Sequence, residues 1–293
     1  MKETFDAASS NAGAPRRATL RVFSLIPTGK FVVPRWLLLV AVLLLFAFPV
    51  SRAAQRTRKL LFLTHSAGFK HAVIPLAEKI MPEIGKKFGN FETTVTQDCS
   101  SISAENLKNY NAVMFYTTGE LPISEEGKKA FMDFIRNGKG FVGVHCATDT
   151  FYKWPEYGQM IGGYFDQHPW HTDVVVRVED KTFPATAHLG ASFKIKDEIY
   201  QFKDWSREKT HVLLSLDPGS VDLTVKNVHR TDKDFGLAWC HPYGKGRVFY
   251  SALGHRDEVW QDERFQKFLV NGTLWAMGAL KARVTVGTPP PSE

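Results

Sequence analysis

Ten histidines occur in this chain, all after residue 60, and most fall in short segments shared with glycine, threonine, serine or a carboxylate. The segments are His65-Ser-Ala-Gly-Phe-Lys-His71, Thr117-Thr118-Gly119-Glu120, Gly143-Val-His145-Cys-Ala-Thr-Asp149-Thr150, Asp166-Gln-His168-Pro-Trp170-His171 and Gly254-His255-Arg-Asp257. Imidazole titrates near neutrality, so such a set can supply a general acid or base, an electrophile or a metal ligand. His145 and His255 are the leading candidates for a general base, with Asp149 placed to orient His145. His65, His71, Thr118, Glu120, His168, Trp170, His171 and Glu198 are candidates for holding a polar substrate. His188, His211 and His229 lack such company and read as structural or solvated.

His168 and His171 stand three apart and could share a divalent metal such as zinc, with Asp166, Asp173 or Glu198 completing the set. That spacing lacks the strong grammar of H-E-x-x-H. The alternative for the same segment is a lid anchored by Pro169 and Trp170, whose histidines bond sugar hydroxyls or backbone. Trp154, Tyr157, Tyr164, Phe165 and Trp170 crowd this region, and such rings suit a sugar face or an ordinary core equally well. Asp197-Glu198-Ile-Tyr200 offers a further pair of carboxylates near a strand end. Cys146 suggests a nucleophile elbow, but in Gly143-Val-His145-Cys146-Ala147 the central position belongs to His145 and the cysteine falls one residue late. A structural thiol is the simpler reading of Cys146.

The elements that must position these residues follow from hydrophobic period. Residues 59–65 read as a buried strand and 71–88 as a helix, with Val73, Ala77, Ile80, Met81, Ile84 and Phe88 at helical spacing. Residues 91–98, 112–117 and 140–145 read as strands. Residues 103–108 and 124–138 read as helices opened by Ser103 and Ser124, the second ending on Gly138. Four β-α repeats predict a parallel, doubly wound sheet, and ligands of such sheets bind beyond the carboxyl ends of the strands, where the histidine segments fall. From residue 172 the pattern turns to strands joined by turns (172–178, 193–200, 212–216, 235–240, 246–253), an added and mostly antiparallel β region. A last helix spans 263–277, and a Pro-rich tail over 281–293 is expected to be flexible.

Composition places the chain among ordinary globular proteins, with 44% hydrophobic and 23% charged residues. The net charge of +7 arises mostly before residue 54: Lys2, Arg16, Arg17, Arg21, Lys30, Arg35 and Arg52 against Glu3 and Asp6 leave +5 there and +2 in the body. With no basic run in the body, nucleic acid is excluded as a partner. Residues 36–50 form an apolar run that follows the basic segment and precedes Ser51-Arg-Ala53, the grammar of a secretory signal over 1–53. The run is shorter than the roughly 20 residues of a bilayer span, which favours cleavage; left uncut, it would be the chain's membrane anchor. Either outcome makes the protein exported, periplasmic or extracellular. Three cysteines, an odd number, imply no disulfide framework.

The segments Phe62–His71, Gly143–Thr150, Gly162–His171, Asp197–Tyr200, Tyr243–His255 and Gly272–Gly278 together resemble the ThuA-like, trehalose-utilisation family over about residues 58–280, within a domain expected over 54–280. That resemblance implies a flavodoxin-like fold of the class I glutamine-amidotransferase type without the glutaminase cysteine, and an association with sugar catabolism beside oxidoreductases that make 3-keto sugars. It also sets Cys146 where small residues such as Ser or Ala are usual. The resulting expectation is an exported sugar-catabolism protein acting on a small-molecule carbohydrate, a keto-sugar or keto-glycoside, by histidine-mediated proton abstraction. A non-catalytic carbohydrate-binding module and, behind it, a Cys-dependent amidohydrolase are the alternatives.

Overall fold

The computed structural model describes residues 57–287. The leader expected over 1–53 and the last six residues of the tail lie outside the described residues. Among the described residues no helix is long and apolar enough to cross a membrane.

Among the described residues nine strands make one sheet in the order β2-β1-β3-β4-β9-β8-β7-β5-β6. In chain order they are β1 (Arg58–Leu63), β2 (Phe91–Thr96), β3 (Ala112–Phe115), β4 (Gly140–Val144), β5 (Tyr164–Val178), β6 (Ser192–Lys203), β7 (His211–Leu216), β8 (Gly236–Tyr243) and β9 (Gly246–Ser251). The helices are α1 (Ile74–Ile84), α2 (Ala104–Leu107), α3 (Glu125–Arg136), α4 (Pro155–Ile161), α5 (Asp257–Gln261) and α6 (Glu263–Ala276). Strands β2, β1, β3, β4 and β9 pair in parallel. The remaining pairs are antiparallel. The 2-1-3-4 order of the first four strands is the flavodoxin-like arrangement expected from the β-α repeats.

Local sequence explains most of these boundaries. β3 and β4 are buried at every position, as parallel strands covered on both faces must be. Ser124 Oγ accepts from the Gly127 N–H at 3.1 Å and caps α3, with Glu125 and Glu126 in its first turn. The helix expected over 71–88 is shorter. Its α-helical part begins after Val73, with a proline in the first turn, and gives way to a π turn over Gly85–Gly89 that closes on left-handed Asn90. This leaves His71 in the loop that precedes α1.

Two expectations need correction. The segment 164–171, expected as a loop or lid, is the first half of β5. The tail expected to be flexible from residue 281 is docked as far as residue 287: Ala282 and Val284 pack against the core, His211 Nδ1 bonds Thr285 O at 2.9 Å, and the Gly287 N–H donates to Arg207 O at 2.7 Å. Arg207 is itself fixed by Glu179 and Asp234, which gives the tail a rigid place to attach.

Helix α6 packs on β4 and β9, and Gly272 sets how closely it does so. A Cβ at this position would stand 2.2 Å from Cζ of Phe249, whose ring is fully buried in β9. Gly272→Ala is therefore expected to destabilise the protein by about 1–2 kcal/mol in urea unfolding. Overpacking costs roughly 1–3 kcal/mol, and better helix propensity returns at most about 1 kcal/mol. An increase in stability would show that α6 can slide off the sheet freely.

Candidate active site

The carboxyl ends of β1, β3, β4 and β9 lie side by side, and four segments converge beyond them. β4 runs into a 3-10 turn whose first residue, His145, has φ +45°. This strained position is held by the Tyr250 hydroxyl, which donates to His145 O at 2.7 Å and pairs with Thr148 Oγ1 at 3.0 Å. After β1, the loop bearing His71 is tied to the end of β3. The Ala67 N–H donates to Thr118 O, the Gly68 N–H to Thr118 Oγ1, and Thr118 Oγ1 to Phe69 O. Gly119, at φ +76°, lets the two backbones touch, since a Cβ there would be 2.7 Å from the Gly68 nitrogen.

The β5–β6 pair supplies the rest. His171 lies opposite Glu198 in the antiparallel register. Residues three apart on a regular strand face opposite ways, but β5 is irregular between Phe165 and Trp170, and both His168 and His171 reach the same carboxylate. Glu198 Oε1 is 2.5 Å from His171 Nε2 and 3.5 Å from His168 Nδ1. Its Oε2 is 3.1 Å from His145 Nε2 and 3.0 Å from His255 Nδ1. Four histidines thus share one carboxylate that is 6% exposed. His71, 4% exposed, stands edge-on to the rings of His145 and His255.

Protonation follows from these contacts. His145 Nδ1 lies 2.7 Å from Ala252 O, an acceptor only, so that nitrogen carries a proton and Nε2 is the one turned to Glu198. Burial, with His145 and His255 adding to it, lowers His71 to about 3, so its ring is neutral. Burial would raise the Glu198 carboxyl, yet the ring nitrogens of His145 and His255 hold it well below the usual carboxylate range. The contact with Glu198 raises His255 against the effect of burial.

The other candidates divide clearly. His145 is wholly enclosed with both nitrogens engaged, a place for a ligand or an orienting group and not for a base that meets substrate. Asp149, expected to orient it, instead accepts from the Tyr152 hydroxyl at 2.6 Å, and burial raises its carboxyl. The orienting contacts come from Ala252 and Glu198. His65 turns away to Gln97 O, and Glu120 accepts from the Lys153 N–H. Thr118 holds the His71 loop. Trp170 is buried, its Nε1 donating to Asp222 O, so it anchors the 217–235 loop outside the cluster. The Cys146 thiol is fully buried and burial pushes it well up, which denies it the access and ionisation of a nucleophile. Cys99, Cys146 and Cys240 are all free.

Two contributors were given no role from sequence. Tyr200 packs its ring 4.2 Å from that of His145. Asp197, fully buried, accepts from three successive backbone N–H groups, those of Gly254 at 2.7 Å, His255 at 3.1 Å and Arg256 at 3.2 Å. Adjacent carboxylates therefore divide the work: Asp197 fixes the backbone of the His255 turn and Glu198 fixes its ring. Both residues stood in the Asp197–Tyr200 motif, but nothing local distinguished a carboxylate that binds backbone from one that binds rings.

A family model for ThuA, described as trehalose utilisation, matches residues 59–276. A ThuA-like protein of known structure from Bacteroides uniformis is similar over 78% of this chain and 95% of its own, with 29% identity and a TM-score of 0.65. Another from Parabacteroides merdae is similar over 80% of this chain and 94% of its own, at 20% identity and a TM-score of 0.63, a likeness of fold. No curated protein matches the chain.

Replacing Asp197 with Ala would leave three N–H groups without their acceptor, at a cost of about 3 kcal/mol or more. Asp197→Asn, which keeps one acceptor oxygen, is expected to lose distinctly less. Urea unfolding of the two variants checks this, and equal, small losses would show that the turn does not depend on the carboxylate.

Proposed function

This chain belongs to the ThuA family of trehalose utilisation, and on that premise we propose that it is an exported enzyme that acts on a keto-sugar or keto-glycoside by removing a proton beside the carbonyl. Family membership carries a role in sugar metabolism. The observation that supports the finer reading is the sharing of Glu198 between histidines buried inside the cluster and histidines open to solvent. The His168 and His171 side chains are each 45% exposed, where a sugar can meet them.

His171 Nε2 donates to Glu198 Oε1, which leaves Nδ1 as the free acceptor. This is the usual logic of a carboxylate-oriented base. In the proposed step His171 Nδ1 takes the proton from the carbon next to the ketone, and the electron pair moves into the new C=C bond as the carbonyl oxygen becomes negative. His255, whose Nδ1 faces Glu198, polarises that oxygen through a hydrogen bond from its other nitrogen, Nε2–H. Returning the proton to the former carbonyl carbon, as the adjacent hydroxyl passes its own proton to the oxyanion and becomes the new ketone, gives isomerisation; re-forming the carbonyl with loss of a group from the β carbon gives elimination or release of the aglycone. His168, beside His171, is placed to bind a hydroxyl. Phe69, 66% exposed and edge-on to His71, offers a ring face to a sugar.

Export rests on the basic segment and the apolar run over 36–50, and a mature protein starting near Ala54 in the exported fraction is the expected finding. The chemical step is tested by proton NMR in D2O with a 3-keto-glucoside. Deuterium should enter beside the ketone, or the aglycone should be released, and His171→Gln should slow either by about 10²–10⁴-fold. A ligand that binds with no exchange and no product would make this a carbohydrate-binding module. Full activity in His171→Gln would remove the assigned base.

A further inference from the structure

We propose that His71, His145, His255 and Glu198 form a divalent-cation site, with zinc the best-suited ion, and that His168 and His171 lie outside its ligand set. The inference concerns the cluster described above but does not depend on the keto-sugar reading. It also moves the metal from the His168/His171 pair suggested by sequence spacing to a different and more deeply buried set.

Donor spacing carries the argument. His145 Nε2, His255 Nδ1 and Glu198 Oε2 are mutually 3.0, 3.1 and 3.2 Å apart. Bonds of 2.0–2.1 Å to a tetrahedral zinc place neighbouring ligand atoms about 3.3 Å from one another. A ligand atom of His71 completes the group, all four lying within 4.8 Å of one another. The three imidazoles are arranged as blades around a common centre. Their centroids are 5.0 Å (His71–His145) and 5.2 Å (His71–His255 and His145–His255) apart, with interplanar angles between 72° and 87°.

Hydrogen-bond accounting points the same way. Because His145 Nδ1 donates to Ala252 O, Nε2 is the nitrogen that His145 turns to Glu198 Oε2, at 3.1 Å. His71 Nδ1 is buried and has no hydrogen-bond partner. A buried imidazole with an idle nitrogen beside that ring and that carboxylate suits a ligand better than a member of a proton network.

The outer contacts are those of a metal centre. The His145 Nδ1–H to carbonyl bond fixes the tautomer that presents Nε2, and Asp197 fixes the turn that presents His255. Three imidazoles and one carboxylate favour zinc or a neighbouring transition ion over magnesium or calcium. His168 and His171 bear on the other oxygen, Oε1, and are much more exposed.

The test uses the metal alone. The full chain, stripped with a chelator, is titrated with zinc chloride by equilibrium dialysis, and cobalt(II) is added in parallel to read the coordination number from its visible absorption. One zinc per chain and a cobalt spectrum of four-coordinate type are expected. His71→Gln and His145→Gln, with folding checked by circular dichroism, should weaken zinc binding by more than the roughly 10–100-fold that loss of an outer partner costs. His168→Gln, which removes a contact to the other oxygen of Glu198, should cost no more than that outer-partner range. Zinc bound no better than by surface histidines, or binding abolished by His168→Gln and untouched by His71→Gln, would overturn the site. Zinc binding measured without sugar stands or falls separately from turnover of the keto-glucoside.

Discussion

A carboxylate taken out of water keeps its charge only if its surroundings replace the lost hydration, and Glu198 is nearly enclosed. Four imidazole nitrogens do so, two on each oxygen. Much else in the structure serves that arrangement. His145 must occupy a left-handed backbone position at the end of β4 to direct Nε2 at Oε2, and two tyrosine hydroxyls and a threonine hold the turn there. The His255 turn must present Nδ1 to the same oxygen, and Asp197 binds three of its N–H groups. β5 must break its regular register so that residues three apart meet Oε1.

The two halves of the sheet contribute differently. Parallel strands place His71, His145 and His255 at one edge: helix crossovers return β1, β3 and β4 in one direction, and the β8–β9 hairpin brings β9 in parallel beside β4. The antiparallel half contributes the carboxylate and the two open histidines. The parallel core thus supplies rigid, buried rings, and the β5–β6 pair supplies the groups that face solvent. This division gives one centre both an enclosed charged set and an accessible proton acceptor, as chemistry beside a carbonyl requires.

Sequence showed the parallel half well because its signals are local. Runs such as Leu60–Leu63 and Val113–Phe115 are apolar throughout, and Ser124 with its following acids announces a helix start. It also showed where the histidines gather, since the ends of β1, β4 and β9 follow from those runs. It did not show that β5 begins at Tyr164, because Asp166, His168 and Pro169 break the apolar alternation by which strands are recognised. The pairing of His171 with Glu198 joins residues far apart in the chain and depends on a register that irregularities set. His65 and His71 look equivalent in sequence, yet one turns to Gln97 and the other into the cluster. Asp149 is four residues from His145, but nearness in sequence beyond a tight turn says little of which groups face each other.

The coupling of the histidines through Glu198 can be observed directly in their imidazole ¹⁵N resonances, recorded for the metal-stripped protein and for Glu198→Gln. Removing the charge should shift His145, His171 and His255 together, while His145 keeps its proton on Nδ1 because Ala252 O is unchanged. Movement of a single histidine, or loss of the Nδ1–H form of His145, would contradict a site organised around this carboxylate.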